Sequence, residues 1–333
     1  MADAKIYYDE DADLTVLDGK KIGVIGYGIQ GRAQALNLRD SGLDVRVGNR
    51  DDEYKAIAGK DGFDVQKPRE LAQWADVILF LIPDDAQAEV FDSWLKPCLS
   101  TGKSLVFAHG FALYHERLDL PDDIDILLMA PRMPGKYIRE RYLRGWGVPV
   151  FVDVYRDHSG HGLATVLALS KAIGATRSGA MEITTAEETE IDLFIEQFLL
   201  PTITATIHKA FDFLVAKGFT PEAVVSELYA SKEIGELIAH AGDTNLYQVF
   251  RDNASPTCQF GKMRGMPVAE NMISEHFMTR TLTDIRDRTF GRELRVAAQD
   301  DYKALKDYDA RIDQSKLVAT HRTYNAIHRG ETE

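Results

Sequence analysis

Two acidic residues on one predicted helix carry the clearest chemical signal in the sequence. The segment EETEIDLFIEQFLL (187–200) reads as an apolar helix in which Asp192 and Glu196 lie four residues apart, about one turn from each other on one face. No Lys or Arg occurs between residues 187 and 197 to pair with them. Two neighbouring carboxylates without a basic partner predict a divalent-cation site. The alternative is a solvent-exposed acidic stripe that Glu188 extends.

A second signal is a glycine-rich turn with the spacing G-x-G-x-x-G. It follows an apolar strand, KIGVI (21–25), and precedes an amphipathic segment (32–39), so the order is strand, turn, helix. Gly26 allows the tight turn, Gly28 lets the backbone approach a pyrophosphate, and Gly31 permits close packing of helix on strand. The turn therefore predicts a dinucleotide site formed by Gly26, Tyr27, Gly28, Ile29, Gln30 and Gly31.

The residues after the next strand, DVRVG (44–48), bear on which dinucleotide binds. Arg50, Asp51 and Asp52 follow that strand, and Asp51 lies about twenty residues past the last glycine, where the adenosine ribose would sit. Carboxylates there accept hydrogen bonds from ribose hydroxyls and repel a 2′-phosphate, so we predict NADH over NADPH. Arg50 could instead stack on adenine or bind a phosphate, and a simple acidic turn is the alternative.

Four more apolar segments continue the alternation of strand and helix: residues 77–83, 104–110, 124–131 and 149–154. Near-continuous apolar runs are typical of parallel strands buried on both faces, with ligands bound beyond their carboxyl ends. Pro83, His109, Arg132 and Gly135 occupy such ends. His109 is a candidate polar group beside a nicotinamide, or else a loop or core histidine. Arg132, in a loop fixed by prolines, is a candidate anion contact or an ordinary surface arginine.

The strand pattern stops near residue 179, and the rest of the chain reads as helical. We therefore predict two domains, an α/β domain over residues 1–180 and an all-α domain over 181–333. Glu227 lies on a predicted helix that begins near Pro221, and its neighbour four residues on is Ser231. Glu227 therefore has no second carboxylate one turn further along this helix with which it could chelate a metal ion. A polar loop, DNASPT (252–257), interrupts the later helices.

Composition narrows the class of protein. A length of 333 residues suits two cores, and a net charge of −13 argues against binding to nucleic acids or anionic membranes. The partner expected is a small metabolite or another protein. The two cysteines, Cys98 and Cys258, lack the spacing of a zinc site or a disulfide framework. The charged N-terminus and the lack of an apolar run of membrane-spanning length predict a cytoplasmic protein.

Six segments together carry a resemblance to a known family. They are KIYYDEDADLTVLDGKKIGVIGYGIQGRAQALNLRDSGLDVRVG, PDDAQAEVF, FAHGF, AP-x-MPG, EETEIDLFIEQ and the loop at Ser255-Pro256-Thr257. In this order and spacing they resemble the short form of ketol-acid reductoisomerase over nearly the whole chain. The resemblance implies a Rossmann domain with a mostly parallel sheet, a knotted all-helical C-terminal domain, and active sites shared between protomers of a homodimer or higher homo-oligomer.

The resemblance also implies the chemistry and the residues that perform it. The family binds two Mg²⁺, shifts an alkyl group in a 2-hydroxy-2-acetyl acid, and reduces the product with NAD(P)H during synthesis of branched-chain amino acids. Matched to its motifs, Asp192 would bridge both metals and Glu196 would bind one, while Glu227 of the neighbouring protomer would bind the second. His109 would lie near the cofactor and the reacting centre, and Ser255 would hold the substrate carboxylate.

Several positions depart from the family pattern. Arg132 stands where the family has lysine, and Ser231 stands where it has a second glutamate. A lysine can exchange a proton, but a guanidinium stays protonated, and a serine in place of a carboxylate weakens a metal site. In addition, Pro256 replaces the asparagine of the substrate loop, and Leu200-Pro201-Thr202 replaces a small glycine-rich segment.

Three hypotheses follow from these matches and departures. The first is a working reductoisomerase acting on 2-acetolactate with Mg²⁺ and NAD(P)H. The second is a paralogue that reduces or rearranges a different 2-keto or 2-hydroxy acid, with the isomerase step weakened by Arg132 and Ser231. The third is a non-catalytic NAD-binding protein.

Overall fold

The first half of the chain forms one nine-stranded sheet. The computed structural model describes residues 4–116 and 118–327. The strands are β1 (Lys5–Tyr7), β2 (Lys21–Ile25), β3 (Asp44–Gly48), β4 (Val65–Gln66), β5 (Val77–Phe80), β6 (Ser104–Phe107), β7 (Asp125–Pro131), β8 (Val150–Arg156) and β9 (Ala180–Glu182). Their order across the sheet is β1-β9-β8-β7-β6-β5-β2-β3-β4.

The sheet is mostly parallel, as predicted. Strands β4, β3, β2, β5, β6 and β7 pair in parallel, whereas β7 pairs with β8 and β1 with β9 in antiparallel fashion. The central strands β5, β6 and β7 are buried along their whole length, which explains their continuous apolar sequence. The prediction missed β1, β4 and β9, because two or three residues give too short a pattern to detect.

Helices of the first half connect and cover the strands. They are α1 (Ile29–Asp40), α2 (Glu53–Lys60), α3 (Pro68–Trp74), α4 (Asp84–Val90), α5 (Gly135–Leu143), α6 (Gly162–Ala172) and α7 (Thr185–Phe194). Short 3₁₀ turns span Asp9–Asp11, Leu14–Leu17, Lys96–Cys98 and Ala175–Arg177, and π-helical turns span Phe91–Leu95 and Ala112–Glu116. Two apolar clusters fill the space between sheet and helices, one containing Ile22, Val24 and Leu79, the other containing Phe80, Phe107 and Leu128.

The second half is helical throughout its described part, as predicted. Its helices are α8 (Leu200–Ala216), α9 (Pro221–Val225), α10 (Glu233–Ala241), α11 (Gln248–Asn253), α12 (Pro256–Met272), α13 (Glu275–Arg286), α14 (Thr289–Gln299), α15 (Lys303–Asp313) and α16 (Lys316–Ile327), with π-helical turns at Ile195–Leu199 and Ser226–Ala230. Phe211, Val224, Val225 and Tyr324 form its small core. The predicted knot stays a prediction.

Two compact units divide the chain at a point inside α7. The first comprises residues 1–192 and the second 193–333. Asp192 therefore belongs to the first unit and Glu196 to the second. The predicted functional boundary at 180/181 stays a prediction, since compactness and function need not divide a chain at the same residue.

One helical stretch, Thr185–Ala216, is long and apolar enough to cross a membrane by length and composition. The sequence prediction found no run of that length, because the acidic residues at the start of the stretch interrupt the apolar pattern. Core helices of proteins that do not enter a membrane pass the same test. The stretch Thr185–Ala216 is therefore not assigned to a membrane.

A carboxylate at the turn after α2 ties together the elements around the glycine turn. Asp61 accepts hydrogen bonds from the hydroxyl of the buried Tyr27 (2.9 Å) and from Nε and Nη2 of Arg32 (2.7 and 3.1 Å). Arg39 donates to the backbone carbonyl of the same residue (2.6 Å). The Arg32 guanidinium, with Tyr27 adding to its effect, lowers the pKa of the Asp61 carboxyl.

We expect Asp61→Asn to lower the free energy of unfolding at neutral pH by about 1.5–3 kcal/mol, the usual value of a hydrogen bond to a charged group. Because the pKa of Asp61 is lowered in the folded state, its stabilisation is present at neutral pH and disappears as the pH falls through that lowered value. Urea unfolding at a series of pH values measures the difference, which should shrink in acid. Asp64→Asn, at an acid that is 63% exposed, is the control. An equal, pH-independent loss in both variants would contradict this role.

Candidate active site

The carboxyl ends of four neighbouring strands bring the candidate residues to one edge of the sheet. Strands β2, β5, β6 and β7 are adjacent and parallel, so the segments that follow them emerge on the same side. These segments contribute the glycine turn, Pro83-Asp84, His109-Gly110 and Arg132, respectively. A ligand that binds beyond the carboxyl ends can contact all four.

The glycine turn has the geometry that its spacing predicts. Gly26 has φ +95°, and a Cβ there would lie 2.6 Å from the carbonyl oxygen of Leu81. A Cβ on Gly31 would lie 1.9 Å from the carbonyl oxygen of Gly26, so only glycine allows α1 to start this close to the strand. Gly28 has open space beside it. An anionic group could therefore approach the backbone at Gly28, at the N-terminus of α1.

The other residues predicted to contact a cofactor differ in exposure and in the contacts that they already make. Ile29 is exposed, whereas the side chain of Tyr27 is buried against Phe63, so Tyr27 can offer a cofactor only its backbone. Gln30 donates from Nε2 to the carbonyl oxygen of Met133 (3.1 Å). A Cβ on Gly135 would lie 1.8 Å from the carbonyl oxygen of Ile29, so this glycine allows α5 to pack against α1. Helix packing alone explains Gly135.

The acids after β3 have different local roles. Asp52 caps α2 by accepting from the backbone N–H of Tyr54 (3.0 Å), and it pairs with Arg50 Nε (2.8 Å), which lowers the pKa of its carboxyl. Asp51 is 85% exposed and pairs with Lys55 Nζ (2.5 Å), which lowers the pKa of Asp51. Asp51 is therefore the acid whose side chain is open to a ligand. Grooves on either side of it are lined in part by Asp52, Ala56, Phe63, Lys67, Arg69 and Trp94.

His109 is oriented by an acid from the neighbouring strand end. Its Nδ1 lies 2.9 Å from Oδ2 of Asp84, the first residue of α4, and Gln87 Nε2 donates to the other oxygen of Asp84 (3.1 Å). Because a carboxylate only accepts, the imidazole donates from Nδ1. Its Nε2 then points toward Asp192, whose Oδ2 lies 3.6 Å away. Asp84 thus fixes the ring with Nε2 facing the carboxylate cluster.

The residue after His109 brings α7 to the sheet. A Cβ on Gly110 would lie 2.3 Å from Oγ1 of Thr189 and 2.7 Å from Cγ2 of Thr185. Only glycine therefore permits the first turns of α7 to lie against this strand end. The start of α7 is also held by Asp153 of β8, which accepts from both the backbone N–H and the hydroxyl of Thr185 (2.7 Å each).

Glu188 is the buried centre of the site. Its side chain is fully buried, with Oε2 accepting from the backbone N–H of Gly110 (2.9 Å) and Oε1 accepting from Arg132 Nη1 (2.9 Å). Arg132 also donates from Nη2 to Oδ1 of Asp192, so its guanidinium bridges the two carboxylates. The alternative of a solvent-exposed acidic stripe therefore does not hold for Glu188, which is buried. A basic partner does exist, but it comes from another part of the chain.

The described residues contain one group with the donor atoms of a metal site: His109, Glu188 and Asp192, whose potential ligand atoms all lie within 4.8 Å of one another. Carboxylate oxygens with an imidazole nitrogen suit a divalent cation, and the bond from His109 to Asp84 is the usual support of a ligating histidine. With Arg132 bonded to both carboxylates, Oδ2 of Asp192 and Nε2 of His109 are the donor atoms that face each other. The set fits one divalent ion.

The remaining predicted residues lie in the second unit. Glu196 is exposed on the π-helical turn Ile195–Leu199, and Glu227 is exposed on the turn Ser226–Ala230. Ser231 caps the next helix weakly, accepting from the backbone N–H of Glu233 (3.5 Å). Ser255 is the N-cap of α12 and accepts from the backbone N–H of Cys258 (3.3 Å). All four belong to the second unit, whereas His109, Glu188 and Asp192 belong to the first.

Three residues of the site were not predicted: Asp84, Gly110 and Glu188. Glu188 precedes Asp192 by four residues, so the same helical spacing that paired Asp192 with Glu196 also pairs it with Glu188. Asp84 and Gly110 adjoin predicted strand ends, but their contacts depend on tertiary structure.

Two family models match successive parts of the chain. "Acetohydroxy acid isomeroreductase, NADPH-binding domain" matches residues 16–179, and "Ketol-acid reductoisomerase, C-terminal domain" matches residues 186–328. A ketol-acid reductoisomerase (NADP(+)) of Caldivirga maquilingensis is 42% identical over 293 residues, which cover 87% of this chain and 88% of that protein.

Solved structures give the same result. An NADH-preferring ketol-acid reductoisomerase from an uncultured archean superposes with a TM-score of 0.91 at 29% identity, over 98% of this chain and 100% of that one. A semialdehyde dehydrogenase NAD-binding protein from Cupriavidus necator shares the fold alone, with a TM-score of 0.58 at 16% identity over 80% of this chain and 99% of that one. Together with the site geometry, these matches show that the chain is an NAD(P)H-binding enzyme that belongs to the ketol-acid reductoisomerase family.

Proposed function

We propose that this enzyme is a Mg²⁺-dependent reductoisomerase that converts 2-acetolactate to 2,3-dihydroxyisovalerate in the synthesis of valine and isoleucine. The observation that carries the proposal is the position of the glycine turn and of the His109–Glu188–Asp192 cluster at the carboxyl ends of neighbouring parallel strands. This arrangement supports hydride transfer from a dinucleotide to a substrate held at the cluster.

The alkyl shift converts a hydroxyl into a carbonyl and the neighbouring carbonyl into a hydroxyl, so one oxygen loses a proton and the other gains one. Arg132 would donate N–H groups to negative charge on oxygen, but it would not exchange a proton, because a guanidinium stays protonated. We assign the proton exchange to His109, which Asp84 holds with Nε2 toward the cluster. In this role Nε2 does not bind the ion, which the carboxylates would hold. When bound, a divalent cation supplies Lewis-acid stabilisation of the oxyanion.

The reduction adds hydride to the keto carbon and a proton to its oxygen. The nicotinamide supplies the hydride, and His109 is the proposed proton donor after its Nε2 has taken up a proton from solvent. We also propose Glu196 and Glu227 as further metal ligands and Ser255 as the substrate-carboxylate contact. These three roles rest on the matched family motifs, since all three residues lie on exposed segments of the second unit.

The bridging of Glu188 and Asp192 by Arg132 favours a second candidate function. The alkyl shift demands more stabilised negative charge and more proton exchange than the reduction does. A centre whose carboxylates already hold a guanidinium could retain the reduction of a 2-keto acid while performing the shift poorly.

The proposed function predicts that the purified full chain with Mg²⁺ and NADH consumes 2-acetolactate, measured by loss of absorbance at the nicotinamide band. Chelation of the metal should abolish this turnover, because the shift needs the Lewis acid. The direct reduction substrate, 3-hydroxy-3-methyl-2-oxobutanoate, is assayed in parallel as the control.

Three outcomes separate the candidates. Turnover of both compounds supports the reductoisomerase. Turnover of the keto acid alone supports the reductase and contradicts the first proposal. Tight binding of the nucleotide without turnover of either compound contradicts both and indicates a non-catalytic protein.

For the cofactor, we propose that NADH is preferred and that NADPH is also bound. Asp51 is exposed where the adenosine ribose would lie, and a carboxylate there repels a 2′-phosphate. Lys67 and Arg69 line a groove beside Asp51 and would attract a phosphate, so the preference depends on this single acid.

We expect Asp51→Ser to lower the ratio of kcat/KM for NADH to that for NADPH by about tenfold, the effect of removing one partly screened charge repulsion. Initial rates with each cofactor give the ratio. Glu53→Gln, which removes an exposed acid two residues further on, should leave it unchanged. A ratio that is the same in Asp51→Ser and in the unaltered protein would rule out Asp51 as the determinant.

We further propose that the protein is a homodimer or a higher homo-oligomer located in the cytoplasm. In the second unit, large apolar side chains are exposed on one helical stretch: Ile195, Leu199, Leu200, Ile203 and Phe213. Such an apolar surface on a globular chain is typical of a subunit interface.

The oligomer predicts a mass in solution of at least twice the 37.3 kDa of the chain, measured by light scattering after size exclusion. Ile203→Glu should shift the population toward the monomer, because a charge would be buried at the interface. Lys209→Glu adds an acid at an exposed polar position of the same helix and serves as the control. A monomer for the unaltered chain would refute the assembly.

A further inference from the structure

Both oxygens of the buried Glu188 carboxylate already have donors. Oε2 accepts from the backbone N–H of Gly110 and Oε1 from Arg132, each at 2.9 Å. A fully buried carboxylate is stable only when a counter-charge and hydrogen bonds compensate for lost hydration. The Arg132 guanidinium supplies that charge for Glu188.

The same guanidinium also donates a hydrogen bond to one carboxylate oxygen of Asp192. Nη2 of Arg132 donates to Oδ1, while Oδ2 lies 3.6 Å from Nε2 of His109, beyond hydrogen-bond length. Arg132 therefore contacts two of the three residues that form the candidate metal group. A cation that binds across Glu188 and Asp192 would occupy the position of the guanidinium.

The position of Arg132 is fixed by more than these two ion pairs. Its backbone N–H donates to the carbonyl oxygen of Pro149 (2.9 Å), and its guanidinium lies over the ring of Phe151, 4.8 Å from the centroid. Both partners come from the segment that pairs with the end of β7. The guanidinium is thus held in the site by the sheet.

We propose that Arg132 is a built-in cation that competes with a divalent metal ion for Glu188 and Asp192, so that the ion binds weakly at these two carboxylates. Two carboxylates and one guanidinium carry a net charge of about −1, whereas the two carboxylates alone carry about −2. A divalent ion is attracted less to the former, and it must also break the Arg132–Asp192 bond. The inference rests on the proposed function only for the identity of the metal, Mg²⁺.

Metal binding to the full chain, without substrate, tests this competition. Isothermal titration with Mg²⁺, supported by electron paramagnetic resonance of Mn²⁺, gives the dissociation constant and the stoichiometry. We expect weak binding to the unaltered chain, and Arg132→Gln should bind the ion at least about tenfold more tightly because the competing charge is gone. Arg132→Lys should give a smaller gain, since one ammonium cannot bridge both carboxylates in the way that a guanidinium fork does.

Further variants test whether the change in metal affinity is specific to Arg132 and requires Asp192. Arg139→Gln removes a different arginine of the same unit, which pairs with Asp40 (2.5 Å) away from the site, and should leave metal affinity unchanged. Asp192→Asn should abolish the weak binding of the unaltered chain, and combined with Arg132→Gln it should abolish the gain in affinity. Nucleotide binding, followed by the fluorescence of NADH, verifies that each variant is folded.

Metal affinity that is unchanged or weaker in Arg132→Gln, with nucleotide binding intact, would overturn the inference. If Arg132→Gln does not fold, Arg132→Lys takes its place, and a metal affinity of Arg132→Lys that does not exceed that of the unaltered protein overturns the inference. Turnover of 2-acetolactate is scored separately: turnover with unchanged affinities refutes the competition alone, whereas tighter binding without turnover refutes the function alone.

Discussion

The bridge from Arg132 to Glu188 and Asp192 is the interaction on which the site depends. Two carboxylates one helical turn apart repel each other, and one of them is fully buried, so α7 could not lie against the sheet without a counter-charge. Gly110 makes the approach sterically possible, and its backbone N–H satisfies the remaining oxygen of Glu188. The charge of Arg132 and the absence of a Cβ at Gly110 together allow Asp192 to lie beside His109.

The parallel sheet places this cluster next to the cofactor turn. Because β2, β5, β6 and β7 are neighbours, residues separated by more than eighty positions in the sequence, such as Gly28 and Arg132, follow strands that end at the same edge. The glycine turn provides a helix N-terminus for a phosphate, and the next strand ends supply Asp84 and His109. The glycine turn and the acid cluster thus share one edge of the sheet.

The sequence predicted what depends on local patterns. The order of strand, glycine turn and helix defined the dinucleotide domain, and the unbroken apolar runs at β5, β6 and β7 indicated parallel strands, because both features are encoded within a few residues. Glu188 was misjudged, because its partners Gly110 and Arg132 lie more than fifty residues away. Asp192 was identified as functional, but its bond to Arg132 was not, since spacing along a helix does not reveal a cation from another strand. Tyr27 and Gly135 were predicted to contact the cofactor. The side chain of Tyr27 lies in the core, and the absence of a side chain at Gly135 allows α5 to pack against α1.

The central claim is that one cation already lies at the carboxylates before any metal binds. Anomalous diffraction from crystals of the full chain soaked in Mn²⁺ tests it most directly, because it shows the position of the ion and that of Arg132 in one experiment. We predict an anomalous peak beside Asp192, with the Arg132 guanidinium moved off that carboxylate. A peak bound by Asp192 with the Arg132–Asp192 bond intact would contradict the account.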